Sequence, residues 1–286
     1  MTIRGTTQVL GIFGYPVEHS LSPVMQNAAL QAAGLDAVYV PFMVAPVKLE
    51  EAVEAIRALG IRGVNVTIPH KENIISYLDE LDPKARMIGA VNTVINENGR
   101  LIGYNTDETG LIKSLAQDLA FHPNGRRILM LGAGGASRAA LVALAEQGAQ
   151  WIGIANRTRQ KAEDLAQAFQ NLFPGTIFAV LGLDEVELSE VCPSVDLLLN
   201  STSLGMKGEI FEGIPWLQLN SSAVVYDIVY RRPDTPLVTS AREYGHLAAG
   251  GLGMLIAQGE DAFRIWTGQE CPKGVMKQAI FSFCKD

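Results

Sequence analysis

Ile128-Leu129-Met130-Leu131-Gly132-Ala133-Gly134-Gly135-Ala136-Ser137 is the stretch that decides the fold of this chain. Four apolar residues read as a buried strand and run directly into a glycine-rich turn, then into an alanine- and leucine-rich helix pattern from Arg138 to Gln147. Strand, glycine turn and helix in that order make the phosphate cradle of a dinucleotide. Gly132 permits the tight turn, and Gly134 lets backbone N–H groups approach a pyrophosphate at the positive end of the helix dipole. Ala133, Gly135 and Ala136 complete the turn, and Ser137 stands where the strict GxGxxG pattern has its third glycine.

Outward from the cradle, apolar runs alternate with helix-spaced segments. Downstream, Trp151 to Ala155, Phe178 to Leu181, Val195 to Leu199 and Val224 to Ile228 join Ile128 to Leu131 as five strands of a doubly wound sheet. Upstream, Val9 to Phe13, Ala37 to Phe42 and Gly63 to Val66 repeat the parallel-sheet rhythm. Between them Leu49, Val53, Ile56 and Leu59 form one helical stripe that Gly60 stops. Asn98-Gly99 marks a hairpin within Val91 to Tyr104. The pattern from Leu252 to Phe283 is mostly helical and is expected to cross back to the first domain. The expected fold is therefore α/β with two domains: a substrate domain, 1–107 plus 253–286, and a Rossmann-type cofactor domain, 108–252.

A chain of 286 residues, 48% hydrophobic, has room for two such cores. Its formal charge of -7 opposes a counterion-releasing surface, so the expected ligand is a small molecule and not a nucleic acid. Cys192, Cys271 and Cys284 are odd in number and lack CxxC spacing, which predicts buried thiols in a reducing compartment and no disulfide framework. His19, His70, His122 and His246 show no metal-ligand spacing, so no metal site is expected. The glycine-broken run from Ala248 to Ala257 is too short to span a bilayer, and the start of the chain lacks a long apolar core; a cytoplasmic protein is expected.

At the end of the second cofactor-domain strand, Asn156-Arg157-Thr158-Arg159 stands where an NAD enzyme places an acid for the ribose 2′-hydroxyl. Arg157, Arg159 and Lys161 crowd a helix N-terminus, an unfavourable place for cations unless an anion joins them. The 2′-phosphate of NADP supplies one, and guanidinium forks suit its geometry. In the first half, Ser22 is the expected cap of a helix that Pro23 begins, which leaves Ser20 to be explained. Asn65 and Thr67 project to one face of a strand. Pro69 ends that strand and places Lys71 in the next first turn, while Asp107 reads alone as a helix cap.

Taken jointly, these motifs resemble the shikimate dehydrogenase family. They are Ser20-x-Ser22-Pro23, Asn65-Val66-Thr67-x-x-x-Lys71, Gly89-Ala90-Val91-Asn92-Thr93, Gly103-x-Asn105-Thr106-Asp107, the glycine turn, Asn156-Arg157-Thr158 and Gly251-x-x-Met254-Leu255-x-x-x-Gln258. The match runs through essentially the whole chain in order. The resemblance implies NADP(H)-dependent interconversion of shikimate and 3-dehydroshikimate in the route to aromatic amino acids. It implies further that Ser20 and Ser22 receive the substrate carboxylate, with Tyr230 reaching toward it. Asn65, Thr67, Asn92, Asp107 and Gln258 would bind ring hydroxyls, and Lys71 and Asp107 would be the catalytic pair. Gly251 and Met254 would lie near the nicotinamide, Ile228 would also bind the cofactor, and Asn156, Arg157, Thr158 and Arg159 would lie at the adenosine phosphate. A homodimer is left open. The rival readings are a quinate/shikimate dehydrogenase of broader range and an NADP-binding sensor without catalysis, the latter opposed by the presence of both Lys71 and Asp107.

Overall fold

The computed structural model describes residues 2–231 and 233–283; Cys284 lies outside the described residues. The chain forms two compact units, Met1–Thr106 with Ile256–Asp286, and Asp107–Leu255.

The first unit begins with β1 (Gln8–Gly14), α1 (Ser22–Ala32), β2 (Ala37–Met43), α2 (Leu49–Ala58) and β3 (Gly63–Val66). It continues with β4 (Glu80–Leu81), α3 (Pro83–Ile88), β5 (Thr93–Glu97) and β6 (Arg100–Tyr104). The sheet order is β2-β1-β3-β5-β6-β4. β1 pairs in parallel with β2 and β3, whereas β5 is antiparallel to β3 and β6. The sheet is therefore mixed, because Asn98 and Gly99, with φ of 55° and 93°, close a two-residue hairpin that forces the reversal.

In α2 the stripe is shorter than its spacing predicts. Leu49, Val53 and Ile56 are buried, but Leu59 is 75% exposed. The helix has already ended: the Ile61 N–H bonds to the Ile56 carbonyl and Gly60 N–H to the Arg57 carbonyl, a Schellman closure that turns Ile61 inward in place of Leu59. At α1 the expected cap shifts likewise. Ser22 is the first helical residue and Leu21 the cap position; the Ser20 hydroxyl accepts the Ser22 N–H at 3.2 Å. Ser20 thus serves the helix start that had been expected of Ser22.

The second unit holds α4 (Asp107–Leu119), β7 (Arg127–Leu131), α5 (Gly135–Glu146), β8 (Trp151–Ala155), α6 (Arg159–Gln170) and β9 (Ile177–Leu181). There follow α7 (Glu185–Val191), β10 (Leu197–Asn200), β11 (Val224–Asp227), α8 (Pro236–Glu243), β12 (Ala248–Gly250) and α9 (Leu252–Thr267). Its sheet, β12-β11-β10-β7-β8-β9, is parallel throughout. Counted along the chain, this is the doubly wound order three-two-one-four-five-six, whose switch point lies between β7 and β10. Five of these strands are legible as apolar runs; β12 is not, because it is three residues of alanine and glycine. Leu129, Leu131, Leu198 and Val225 lie in one buried cluster with Leu237 and Val238 of α8. Burial of each such side chain contributes roughly 1.5–3 kcal/mol before chain entropy is subtracted.

The chain returns to the first unit within α9, and α10 (Val275–Phe283) packs on α1. Trp266, near the end of α9, donates its indole N–H to the Val94 carbonyl at 2.9 Å, which locks the returning segment to β5. Among the described residues no helix is long and apolar enough to cross a membrane. Cys192 is buried and Cys271 half-buried, both as free thiols.

Candidate active site

In the first unit the predicted polar residues gather around Asn65 and Asn92. Asn65, on β3, accepts from the Tyr39 hydroxyl at 2.7 Å and donates to the Asn92 carbonyl and the Thr93 hydroxyl, each at 3.1 Å. Asn92 precedes β5 and uses both ends of its amide. Its oxygen accepts the Thr106 N–H at 2.8 Å and the Thr93 hydroxyl at 3.0 Å; its nitrogen donates to the Thr106 hydroxyl at 3.0 Å and to Gln258 Oε1 at 3.4 Å. All of these polar groups are buried. Such a network fixes its members, because an orphaned amide in this setting costs about 1–3 kcal/mol.

Thr67 follows β3 directly and is half-buried. Lys71, also half-buried, sits in a turn that precedes a 3-10 segment, Asn73–Tyr77, and so is not in the first turn of an α-helix. Its carbonyl accepts the Val91 N–H at 2.8 Å, which ties the lysine backbone to the residue before Asn92. Neighbouring His70 is 1% exposed and donates Nε2–H to the Val44 carbonyl at 2.7 Å. Burial holds its imidazole below the usual pKa, so it stays neutral beside Lys71. Ser20 and Ser22 lie together at the start of α1, Ser22 buried. Tyr39, Thr93 and Thr106 carry the network although no role is predicted for them. Thr93 and Thr106 stand inside the recurrent motifs, but Tyr39 lies in an ordinary apolar strand and gives no sequence signal.

In the second unit, Asp107 is the first residue of α4 and 5% exposed. The glycine turn lies between β7 and α5. Gly132 has φ of 116°, and a Cβ there would meet Thr202 Cγ2 at 2.7 Å and Ser201 Oγ at 2.9 Å, so glycine is required. Gly134 is exposed, and a Cβ on it would meet nothing within 4 Å. The space over the start of α5 is thus open, and its first turn carries no acid. Ser137 explains its own departure from glycine: its hydroxyl accepts the Gly134 N–H at 2.9 Å and lies 2.8 Å from Ser201 Oγ, across the switch point. Ser201 in turn donates to the Leu131 carbonyl at 2.8 Å. Asn200-Ser201-Thr202 carries no motif of its own in the sequence; its one signal is that it follows the apolar run of β10, at the switch point.

Between β8 and α6, the Asn156 amide donates to the Thr158 carbonyl at 2.8 Å. Thr158 caps α6 in position but makes no side-chain capping bond. Arg157 is exposed. The expectation that these cations need an external anion is corrected for Arg159, which lies 3.1 Å from Glu187 and 3.6 Å from Glu163. Exposed pairs of this kind are worth about 0–1 kcal/mol, so a phosphate can displace them. No carboxylate stands at the end of β8. The residues present therefore suit a pyrophosphate at α5 and a 2′-phosphate at α6.

At the opposite side of this sheet, Tyr226 is buried at the end of β11 and its hydroxyl meets Ser114 Oγ at 2.7 Å; Ser114 donates to Asp118 at 2.5 Å. The Met254 N–H reaches the same phenol oxygen at the start of α9, where helix N–H groups lack partners within the helix itself. Burial pushes the Tyr226 phenol well above its ordinary pKa, and it remains a neutral donor. Gly251, buried, donates its N–H to the Val229 carbonyl at 3.2 Å and packs directly on the Ile228 carbonyl, where a Cβ could not fit. Ile228 and Tyr230 are half-buried. Among the described residues no group of three or more metal-ligating side chains occurs.

Known proteins match this arrangement along its length. Residues 12–94 match the shikimate dehydrogenase substrate binding domain, residues 114–206 the shikimate/quinate 5-dehydrogenase family and residues 251–281 the shikimate 5′-dehydrogenase C-terminal domain. A protein of Geobacter metallireducens named shikimate dehydrogenase (NADP(+)) is 53% identical over 285 residues, 100% of both chains. The crystal structure of shikimate dehydrogenase from Aquifex aeolicus superposes with a TM-score of 0.88 at 43% identity, over 98% of this chain and 99% of that one. That of the Thermus thermophilus shikimate 5-dehydrogenase in complex with NADP(H) and shikimate has a TM-score of 0.84 at 34% identity, over 96% and 99%.

Proposed function

The chain belongs to the shikimate dehydrogenase family, and on that premise we propose how its residues divide the family's reaction among themselves. It is an NADP-dependent oxidoreductase that interconverts 3-dehydroshikimate and shikimate in the route to aromatic amino acids. The observation that carries the reading is a pair of built features in one chain. One is the buried hydroxyl and amide network of Asn65, Asn92, Thr106 and Gln258. The other is a glycine cradle with arginines, and no acid, at the ribose position.

NADP, when bound, exchanges a hydride with C3 of the substrate. Lys71 as ammonium stabilises negative charge developing on the C3 oxygen and donates its proton there; in the oxidising direction its neutral amine accepts that proton. Asp107 orients the lysine and a ring hydroxyl. Ser20 and Ser22, with Tyr230, receive the substrate carboxylate. Asn65, Thr67, Asn92 and Gln258 bind the ring hydroxyls. Gly132 through Ser137 hold the pyrophosphate, Asn156 through Arg159 the 2′-phosphate, and Ile228, Gly251 and Met254 the nicotinamide. In this reading 1–107 plus 253–286 is the substrate-binding catalytic domain and 108–252 the NADP-binding domain. The enzyme works in the cytoplasm, in keeping with its free Cys192 and Cys271 thiols, and a homodimer is the assembly to test by sedimentation.

The test is an absorbance assay for shikimate-dependent NADPH formation, with quinate and NAD as comparison arms. Rapid turnover of shikimate with NADP and little of the other combinations supports the reading. Equal turnover of quinate moves the chain to the broader class.

A further inference from the structure

Asp227 ends β11 and is fully buried, yet no role falls to it in the chemistry above. Its Oδ1 accepts the Asn200 side-chain N–H at 2.7 Å and the Val229 backbone N–H at 3.0 Å, while Oδ2 accepts the Thr235 hydroxyl at 2.6 Å. Each donor belongs to a different segment at the carboxyl end of the sheet. Asn200 lies at the end of β10, and its own oxygen accepts the Thr202 N–H at 2.9 Å while its nitrogen reaches the Leu204 carbonyl at 3.1 Å. Val229 lies in the turn after β11, and its carbonyl receives the Gly251 N–H. Thr235 caps α8.

A carboxyl group is a costly way to join three segments. Burial pushes Asp227 up to about 6, and a well-packed apolar residue would hold β10 against β11 without that penalty. An apolar residue could not fix the Val229 peptide, however, and that peptide decides where the Ile228 carbonyl and Gly251 meet. We propose that Asp227 is a positioning residue for the nicotinamide end of the cofactor. Its Oδ1 sets the Ile228–Tyr230 turn and the seat of Gly251 through Val229, and sets the loop after β10 through Asn200. The inference rests on the reading that Ile228, Gly251 and Met254 face the nicotinamide. It requires acceptor geometry and not charge. In Asp227→Asn the amide oxygen can keep both Oδ1 bonds, and its nitrogen can donate to the Thr235 hydroxyl.

The experiment measures calorimetric affinity for NADP and for adenosine 2′,5′-bisphosphate, which lacks the nicotinamide, together with kcat, in Asp227→Ala, Asp227→Asn and Ile228→Ala. Asp227→Ala is expected to lower NADP affinity and kcat by about 10-fold to 100-fold, the usual effect of misplacing a reacting group by an ångström, with the bisphosphate affinity kept. Asp227→Asn is expected to restore most of both. Where Asp227→Ala fails to fold, Asp227→Ser replaces it, since a hydroxyl cannot span Asn200, Val229 and Thr235 together. Wild-type NADP binding and turnover in the Ala or Ser variant, equal loss of both ligands, or an Asn variant as impaired as Ala each overturn the proposal. Ile228→Ala separates the underlying reading: it should weaken NADP and spare the bisphosphate, and if it spares both, the placement of the nicotinamide is wrong whatever Asp227 does.

Discussion

The Thr106 backbone donates its N–H to the Asn92 side-chain oxygen at 2.8 Å, so the residue immediately before Asp107 is held by an amide from the start of β5. The same amide nitrogen bonds the Thr106 hydroxyl and reaches Gln258. A residue proposed to bind a ring hydroxyl therefore also fixes the chain leading into the proposed catalytic acid.

Asn92→Ala removes both functions at once. It leaves the Thr106 N–H buried without its acceptor, which costs about 1–3 kcal/mol of stability, and loosens Asp107 by enough to lower kcat by about 10-fold or more. Denaturant unfolding and steady-state rates check the two effects. Unchanged kcat with reduced stability would leave Asn92 a structural residue only.

Arg157 is exposed after β8, beside the proposed 2′-phosphate position, and no acid stands there. Arg157→Ala is expected to weaken NADP binding by about 10-fold, the worth of a charged hydrogen bond, and to leave NAD binding unaltered. Titrations with both cofactors decide it, and equal loss for the two would place Arg157 away from the 2′-phosphate.

Tyr226 satisfies the Met254 N–H at the start of α9 and is itself bonded to Ser114. Tyr226→Phe strips that partner from a buried amide, so we expect a loss of about 1–3 kcal/mol and a higher KM for NADP with the shikimate KM little changed. A variant with wild-type unfolding and wild-type KM values would show that α9 is held by other contacts.

The Asp227 carboxyl is raised by burial to about 6 in the fold from 3.8. The native state then binds the proton that the unfolded chain releases, so between these values stability falls as pH rises; the contribution is complete below the unfolded value and lost above the folded one. Between pH 5 and pH 7.5 the wild type should lose about 1 kcal/mol that Asp227→Asn does not lose. Parallel denaturation curves for the two proteins at both pH values would contradict it.

Most of the fold was legible because apolar runs and turn residues carry it directly. Ile128 to Leu131 is apolar at every position, and Asn98-Gly99 names its own turn. The exceptions have local causes. β12 is too small and glycine-rich to register as a strand, although pairing with β11 makes it one. Leu59 matched the helical period of α2, but a Schellman closure had already redirected the chain. In the polar network the motif-borne amides Asn65 and Asn92 stand out, whereas the hydroxyl of Tyr39 does not, because an aromatic residue in a strand reads as packing until its partner is seen. Asp227 is illegible in sequence for a similar reason: one acid after an apolar run looks like a strand end, and only three converging donors reveal more.

The proposed chemistry requires Lys71 and Asp107 to handle one proton together. The most direct measurement is kcat for shikimate-dependent NADPH formation in Lys71→Ala, Asp107→Asn and the double variant. Each single substitution should lower kcat by about 10²–10⁴-fold, with a smaller change in shikimate affinity. The double variant should fall close to the worse single one, because a pair acting as a unit is lost once. Wild-type turnover in Lys71→Ala, or losses that simply multiply in the double variant, would contradict it.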